Sequence, residues 1–306
     1  MPLIRVAART AVLGAAAAAV WGIGVERHLY TVRRRTAAVL PPGSAPLRVL
    51  HLSDLHMAPW QHRKQEWVAG LANLAPDLVV NTGDNLGHPD ALSGVVRALG
   101  PFAGIPGVFV HGSNDVWAPS LRNPLRYLSG PSARRPRERR LDTGALDRFL
   151  TDALGWRDLD NAAATVTAGG LRVAAFGVDD AHRGWDDLPA VAALRRADPD
   201  PDAAGLTVGV THAPYRRVLD AFTDLGADIL FAGHTHGGQV RVPCARHALV
   251  ANCDLPLDQA RGLSTWQHAG RRIPVNVSAG IGTSIYAPVR FGCRPEASLV
   301  TLIPSA

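Results

Sequence analysis

The segment FAGHTHGGQ at residues 231–239 sets two histidines, His234 and His236, one residue apart, directly after an apolar run and among glycines. A buried strand end has little use for imidazoles, and adjacent glycines let a backbone bend so that both rings turn inward. Four more apolar runs end in similar chemistry. Asp54 and His56 follow LRVLHL in SDLH, Asp84 follows DLVVNT in GDN, Asn114 and Asp115 follow GVFVH in GSND, and His212 follows LTVGV in THAP. Taken singly, an Asp-x-His or a Gly-Asp is an ordinary turn. Five such strand ends in series point to one shared site. The donors are imidazole, carboxylate and carboxamide without thiolate, a set that suits Mn, Fe or Zn. They are too many for one tetrahedral ion and enough for two. A carboxylate such as Asp84 can bridge ions about 3.5–4 Å apart, the spacing of binuclear hydrolytic centres.

These residues need strands to carry them and helices to space the strands. Between the first two runs, QHRKQEWVAGLANLA sets Trp67, Leu71 and Leu74 at helical intervals. Strand–helix alternation predicts an α/β domain, with the site in loops at the carboxyl ends of strands. VLPPGSAP (39–46) is a linker punctuated by proline and glycine. It divides the chain into an N-terminal segment, 1–46, and a domain, 47–306. The arginine-rich stretch 129–140 reads as a mobile surface loop, and 196–205 as a polar linker.

The chain has 306 residues, 47% of them hydrophobic, and a net charge of +6. Lys64 is its one lysine, so arginine carries nearly all the positive charge beside abundant alanine. That is a compositional habit and not the pattern of a phosphate-backbone groove, and no specific nucleic-acid partner is expected. Cys244, Cys253 and Cys293 lack a zinc-ribbon or disulfide-framework spacing. Free thiols are the expected state, with a Cys244–Cys253 bridge as the alternative in an oxidising compartment. Residues 10–25, TAVLGAAAAAVWGIGV, are uncharged and lie between Arg5 and Arg9 on one side and Arg27 and Arg33 to Arg35 on the other. Sixteen residues fall short of the roughly 20 that span a bilayer comfortably. The segment reads as a short signal anchor or the apolar region of an export signal, predicting membrane association. The arginines after it favour a cytoplasmic domain, whereas an export signal favours the opposite side. Every candidate ligand lies beyond Leu50, so a chain lacking residues 1–40 is expected to keep its chemistry.

The series Asp-x-His, Gly-Asp, Gly-Ser-Asn-Asp, His, Gly-His-x-His resembles the calcineurin-like metallophosphoesterase family over roughly residues 47–303, in a branch of bacterial membrane-associated phosphoesterases. The resemblance implies a four-layer α/β/β/α sandwich of two mixed sheets flanked by helices. It also implies two divalent ions, with Asp54, His56 and His236 on one, Asn114, His212 and His234 on the other, and Asp84 bridging. One position departs from the pattern. The family usually reads Gly-Asn-His-Asp where this chain reads Gly112-Ser113-Asn114-Asp115. Without a gap, Ser113 stands in the ligand's place and Asn114 in the histidine's. With a one-residue shift, Asn114 is the ligand and Asp115 takes the histidine's place. The second alignment is preferred because a carboxamide oxygen is the better donor to a hard cation. On that alignment Asp84, Asn114 and Asp115 are the candidate catalytic residues. On either alignment the family's phosphoryl-binding histidine is missing, and His88, His111 and His182 are candidate substitutes. Arg183 and Arg290 are candidates to pair with phosphate oxygens.

The function expected is therefore metal-dependent phosphoester hydrolysis, in which two ions clamp the phosphate and acidify a bridging water that attacks in line. A diester or pyrophosphate with a good leaving group tolerates loss of a general acid better than an alkyl monoester does. With the N-terminal segment, this favours a lipid-linked or envelope-related substrate. The alternatives are a phosphomonoesterase or nucleotide phosphodiesterase, and a non-catalytic metal-binding scaffold of the same fold. Oligomeric state is not legible.

Overall fold

The computed structural model describes residues 13–121, 139–197, 205–243 and 247–305. Its first sheet joins six strands in the order β1-β12-β2-β3-β4-β5. These are β1 (Thr31–Leu40), β2 (Leu47–Leu52), β3 (Leu78–Asn81), β4 (Gly107–Phe109), β5 (Arg157–Asp158) and β12 (Glu296–Pro304). The second runs β10-β11-β9-β8-β7-β6, built from β6 (Ala162–Ala168), β7 (Leu171–Val178), β8 (Leu206–Thr211), β9 (Ile229–Ala232), β10 (Gly262–His268) and β11 (Arg271–Val277). Both sheets are mixed. Strands β2, β3, β4 and β5 run parallel, as do β7, β8, β9 and β11, while β12 is antiparallel to β2 and β10 to β11.

Side-chain alternation sorts each strand between two layers. Leu47, Val49, Leu78, Val80, Val108 and Val110 meet Val173, Val208, Val210, Ile229 and Phe231 in the core between the sheets. The opposite faces are covered by helices. Leu50, Leu52 and Val79 pack with Val68 and Leu71, at or just beyond the end of α1 (His62–Gly70), and with Val95 and Leu99 of α2 (Leu92–Leu99). Phe176, Val178 and Val277 pack under Val191 of α5 (Leu188–Arg196) and under Val218, Leu219 and Phe222 of α6 (Arg216–Asp224). Two shorter helices, α3 (Ser113–Val116) and α4 (Thr143–Arg148), lie between. The result is the expected α/β/β/α sandwich. Strands covered on both faces read as continuous apolar runs, which is why the central ones were legible.

The N-terminal boundary needs correction. Residues 31–40, assigned from sequence to the anchor and linker, form β1, which pairs in parallel with β12 from Thr31↔Glu296 onward. Leu40 is fully buried in the core between the sheets. The folded body thus begins before the linker, and Arg33 to Arg35 are strand residues; Arg33 pairs with Glu296 at 3.2 Å. Residues 13–20 are helical and lead into a π-turn, Trp21–Val25. No helix among the described residues is long and apolar enough to cross a membrane. The basic stretch lies outside the described residues from 129 to 138, as do 198–204 of the second linker and Cys244. Cys253 and Cys293 are free thiols.

Candidate metal centre

The five strand ends converge, three from the first sheet and two from the second. Each sheet delivers its ligands where a parallel strand stops. Backbone bonds then lace the loops together, from Asp54 N–H to Gly83 O, His56 N–H to Asp84 O and Gly233 N–H to His212 O, at 2.8–2.9 Å. Glycines let the chains approach this closely. A Cβ on Gly112 would press on Asp84 and lie 2.7 Å from His212 Cε1, and one on Gly233 would lie 2.7 Å from Asp54 Oδ2.

Asp54, His56, Asp84, His234 and His236 all adopt positive φ, between 38° and 65°. They are five of the ten non-glycine residues that do so among the described residues. Left-handed backbone at an ordinary residue costs about 1–3 kcal/mol and persists where surrounding structure enforces it, typically at functional sites. Here it turns each side chain inward from the end of its strand.

Two groups of donor atoms result, Asp54 with His56 and His236, and Asp54 with Asp84 and His212, with atoms in each group within 4.8 Å of one another. Asp54 Oδ2 accepts from His234 N–H and the Ser53 hydroxyl. Its Oδ1 is buried without a hydrogen-bond partner and faces His236 Nε2 at 3.5 Å and His56 Nε2 at 4.0 Å. An orphaned carboxylate oxygen among imidazole nitrogens fits a bound cation. Asp84 Oδ2 lies 3.5 Å from His56 Nε2 and 3.6 Å from His212 Nε2, so it reaches both groups. His234 Nδ1 is 3.3 Å from His212 Nε2. The far nitrogens have carbonyl partners, Thr82 O at 2.7 Å from His212 Nδ1 and Asn252 O at 3.2 Å from His234 Nε2. Such bonds fix the tautomer that leaves the inner nitrogen a lone pair for metal.

Charge follows the same geometry. Burial would raise the Asp84 carboxyl, but His212, His56 and two hydrogen bonds from Asn114 outweigh it and hold it at about 2. Burial opposes protonation of His212, but Asp84, Asp180 and Asp54 lift it to about 9. Burial keeps His56, His234 and His236 below the ordinary histidine range. The same burial, with the Asp84 charge beside it, also raises the Asp54 carboxyl, to about 6, and a cation bound among these groups would compete with protons for them.

Asn114 joins the group. Its N–H donates to Asp84 Oδ1 at 2.8 Å and its Nδ2 to Asp84 Oδ2 at 2.7 Å; half a turn of the amide presents its oxygen instead. Ser113 also lines the cavity. Asp115 does not join. It is fully buried, and its carboxylate accepts the N–H groups of Asp84, Asn85, Leu86 and Gly112 at 2.7–3.1 Å. Its place is beneath the site, fixing the loop that presents Asp84. Arg290, proposed as a phosphate partner, is likewise fully buried and donates to the carbonyls of His236, Gly280 and Gly282. Arg183 does line the cavity, as does His182. The His182 ring stands 4.3 Å from the His234 ring, and its Nδ1 lies 3.1 Å from Tyr215 Oη. His88 lies outside the cavity against Trp60 and Asp90. His111 has both nitrogens on carboxylates, Asp160 at 2.6 Å and Asp147 at 2.9 Å, and with Asp158 and Asp160 it forms a third donor group apart from the converged strand ends.

Sequence reading missed Lys64. It is buried, and its ammonium donates to Leu55 O and His56 O at 2.6 and 2.9 Å. The signal available was its being the one lysine in an arginine-rich chain. A compact ammonium on a thin stem reaches two adjacent carbonyls that a planar guanidinium fits poorly.

The family model described as calcineurin-like phosphoesterase matches residues 47–238. The chain belongs to that family. Over 265 residues, 85% of this metallophosphoesterase and 82% of the relative, it is 26% identical to the uncharacterized protein YpbG of Bacillus subtilis (strain 168). Over 260 residues, 83% of each, it is 25% identical to the uncharacterized metallophosphoesterase YkoQ of the same organism. A stretch of 76 residues, 25% of each chain, is 36% identical to the phosphodiesterase YaeI of Escherichia coli (strain K12). This metallophosphoesterase is thus a phosphoester hydrolase whose fold implies divalent metal ions, and its converged donors are the residues that could hold them.

Proposed function

We propose that the protein hydrolyses a phosphodiester or pyrophosphate carried by a lipid-linked molecule, with two divalent ions, Mn, Fe or Zn, at the converged strand ends. The observation that carries this reading is the set of five inward-turned residues with left-handed backbone. Asp54, His56 and His236 would hold one ion and Asn114, His212 and His234 the other, with Asp84 shared. Ions so held supply Lewis acidity, neutralising phosphate charge and lowering the pKa of a bound water. The chain's own residues orient and select. Asp84 is already an anion. Arg183, which lines the cavity, would meet phosphate oxygens. His182, close against His234, is the candidate to protonate the leaving group in place of the family histidine.

Two features support a lipid-linked substrate. The cavity of about 340 Å³ above the donors is walled partly by Val240, Leu249, Val250, Tyr286, Ala287 and Val289. Exposed Trp21, Ile23 and Val25 lie on the segment that packs beside Val289, where a Cβ on Gly22 would come within 3.0 Å of Val289 Cγ2. An apolar rim continuous with an apolar N-terminal segment suits a phosphoester presented at a membrane surface, and association through that segment belongs to the proposal.

The test is metal analysis of the purified full chain alongside hydrolysis of an aryl phosphodiester and an aryl phosphomonoester. Two ions per chain and faster diester turnover are expected. Asp84→Ala should lose most metal and all turnover. One ion per chain, or faster turnover of the monoester, would overturn the reading.

A further inference from the structure

We infer that the segment 21–28 is a positioning element of the metal centre, acting through Glu26 and Arg290 on His236. Glu26 is an almost fully buried carboxylate in a single turn, Glu26–His28, just ahead of β1. It sits among three donors. The Trp21 indole N–H reaches Oε2 at 2.7 Å, Gly292 N–H reaches Oε2 at 3.0 Å, and Cys293 N–H reaches Oε1 at 2.8 Å. One turn earlier, Gly22 O accepts Arg290 N–H at 3.1 Å. A side chain on Gly22 would meet Arg290 O at 2.9 Å, so glycine permits the close approach. The N-terminal segment therefore grips the backbone N–H groups of Arg290, Gly292 and Cys293.

What that backbone carries is Arg290. Its guanidinium is fully buried and ties three carbonyls together, His236 O at 2.9 Å, Gly280 O at 3.2 Å and Gly282 O at 2.6 Å. It also lies 3.2 Å from His236 Nδ1, the ring edge opposite the Nε2 that faces Asp54. His236 holds a left-handed backbone, φ 49°, a conformation that persists only under outside restraint. The Arg290 bond to its carbonyl supplies such restraint. The chain of contacts runs from Glu26 to the 290–293 backbone, to Arg290, to the carbonyl and ring of His236. Its far end touches the Asp54–His56–His236 group and leaves His212 and His234 to other supports.

This inference rests on the two-ion reading, so Mn(II) binding to the full-length chain is measured first. Failure of the wild-type protein to bind two ions would sink that reading, whatever the variants do. Given two ions, Glu26→Ala and Arg290→Met should each weaken one of them about 10–100-fold, as loss of supporting hydrogen bonds around metal ligands does, and leave the other within about twofold. Glu26→Gln keeps one acceptor oxygen and should recover part of the loss. Trp21→Phe removes a single donor and should weaken the same ion by a few-fold. Melting temperatures of the metal-free variants separate positioning from general destabilisation. Unchanged Mn(II) affinity in Glu26→Ala overturns the inference, as does equal weakening of both ions. If Glu26→Ala does not fold, unchanged affinity in both Glu26→Gln and Trp21→Phe overturns it.

Discussion

His111 is held by two carboxylates at the edge of the site, and its protonation is a stability term that can be isolated. Burial alone would lower its pKa, but donating to the Asp147 and Asp160 carboxylates pushes it well above the ordinary histidine value. A histidine raised in the folded state contributes stability that is complete below its unfolded value of about 6.5 and declines as pH rises toward the folded one. Breaking a buried ion pair by removing one partner costs about 3–5 kcal/mol. His111→Asn should therefore lower the melting temperature most between about pH 5 and 6.5, and the gap from wild type should narrow steadily above that. A gap that stays constant from pH 5.5 to 9 would mean that the imidazolium is not the stabilising form. At this scale residue identity misled in two places. Asp115 and Arg290 have side chains suited to catalysis, yet hydrogen bonds to backbone occupy both.

At the scale of elements, β1 changes what the N-terminus is for. Its sequence, TVRRRTAAVL, follows an uncharged stretch and reads as the basic flank of a membrane segment. In the fold it is the edge strand beside β12, with Ala37 and Leu40 buried against the second sheet's apolar face. Losing a buried leucine alone costs on the order of 2–5 kcal/mol. Deleting residues 1–40 should thus lower the melting temperature by more than about 5 °C and impair metal binding, contrary to the expectation that every necessary residue lies beyond Leu50. A truncated protein with wild-type melting temperature and metal content would show that β1 and the turn before it are dispensable. The central strands were legible because burial on both faces makes them uninterrupted apolar runs. The edge strand was not, because half of it faces water and its partner lies more than 250 residues away in sequence.

Across the whole molecule, the two sheets bring an apolar rim and a polar floor to one opening. Leu249 and Tyr286 are both about half exposed at 48% and line the cavity. Under the proposed lipid-linked substrate, these two side chains should matter only when the substrate carries an acyl chain. Leu249→Ser with Tyr286→Ser should lower kcat/KM roughly 3–10-fold on a phosphodiester presented in vesicles, the loss expected for partial burial of two apolar groups. Turnover of a soluble aryl diester should stay within about twofold of wild type. Equal losses on both substrates would place these residues in the reaction and not in substrate presentation.

The sequence by itself determined the chemistry on offer. Asp54, His56, Asp84, His212, His234 and His236 were legible because each ends an apolar run, and because imidazole and carboxylate at strand ends have few purely structural uses. It also determined the layer architecture, through the resemblance that those motifs carry. Only the tertiary structure decided which polar residues face the cavity and which are consumed in holding it. Asn114 and His182 face it, while Asp115, Lys64, Arg290 and Glu26 support the loops beneath. The physical reason is that a side chain's role depends on which donors and acceptors surround it. For Asp115, Glu26 and the Arg290–His236 contact those partners lie on segments 30 to 267 residues away in sequence, brought into hydrogen-bonding range only by the fold.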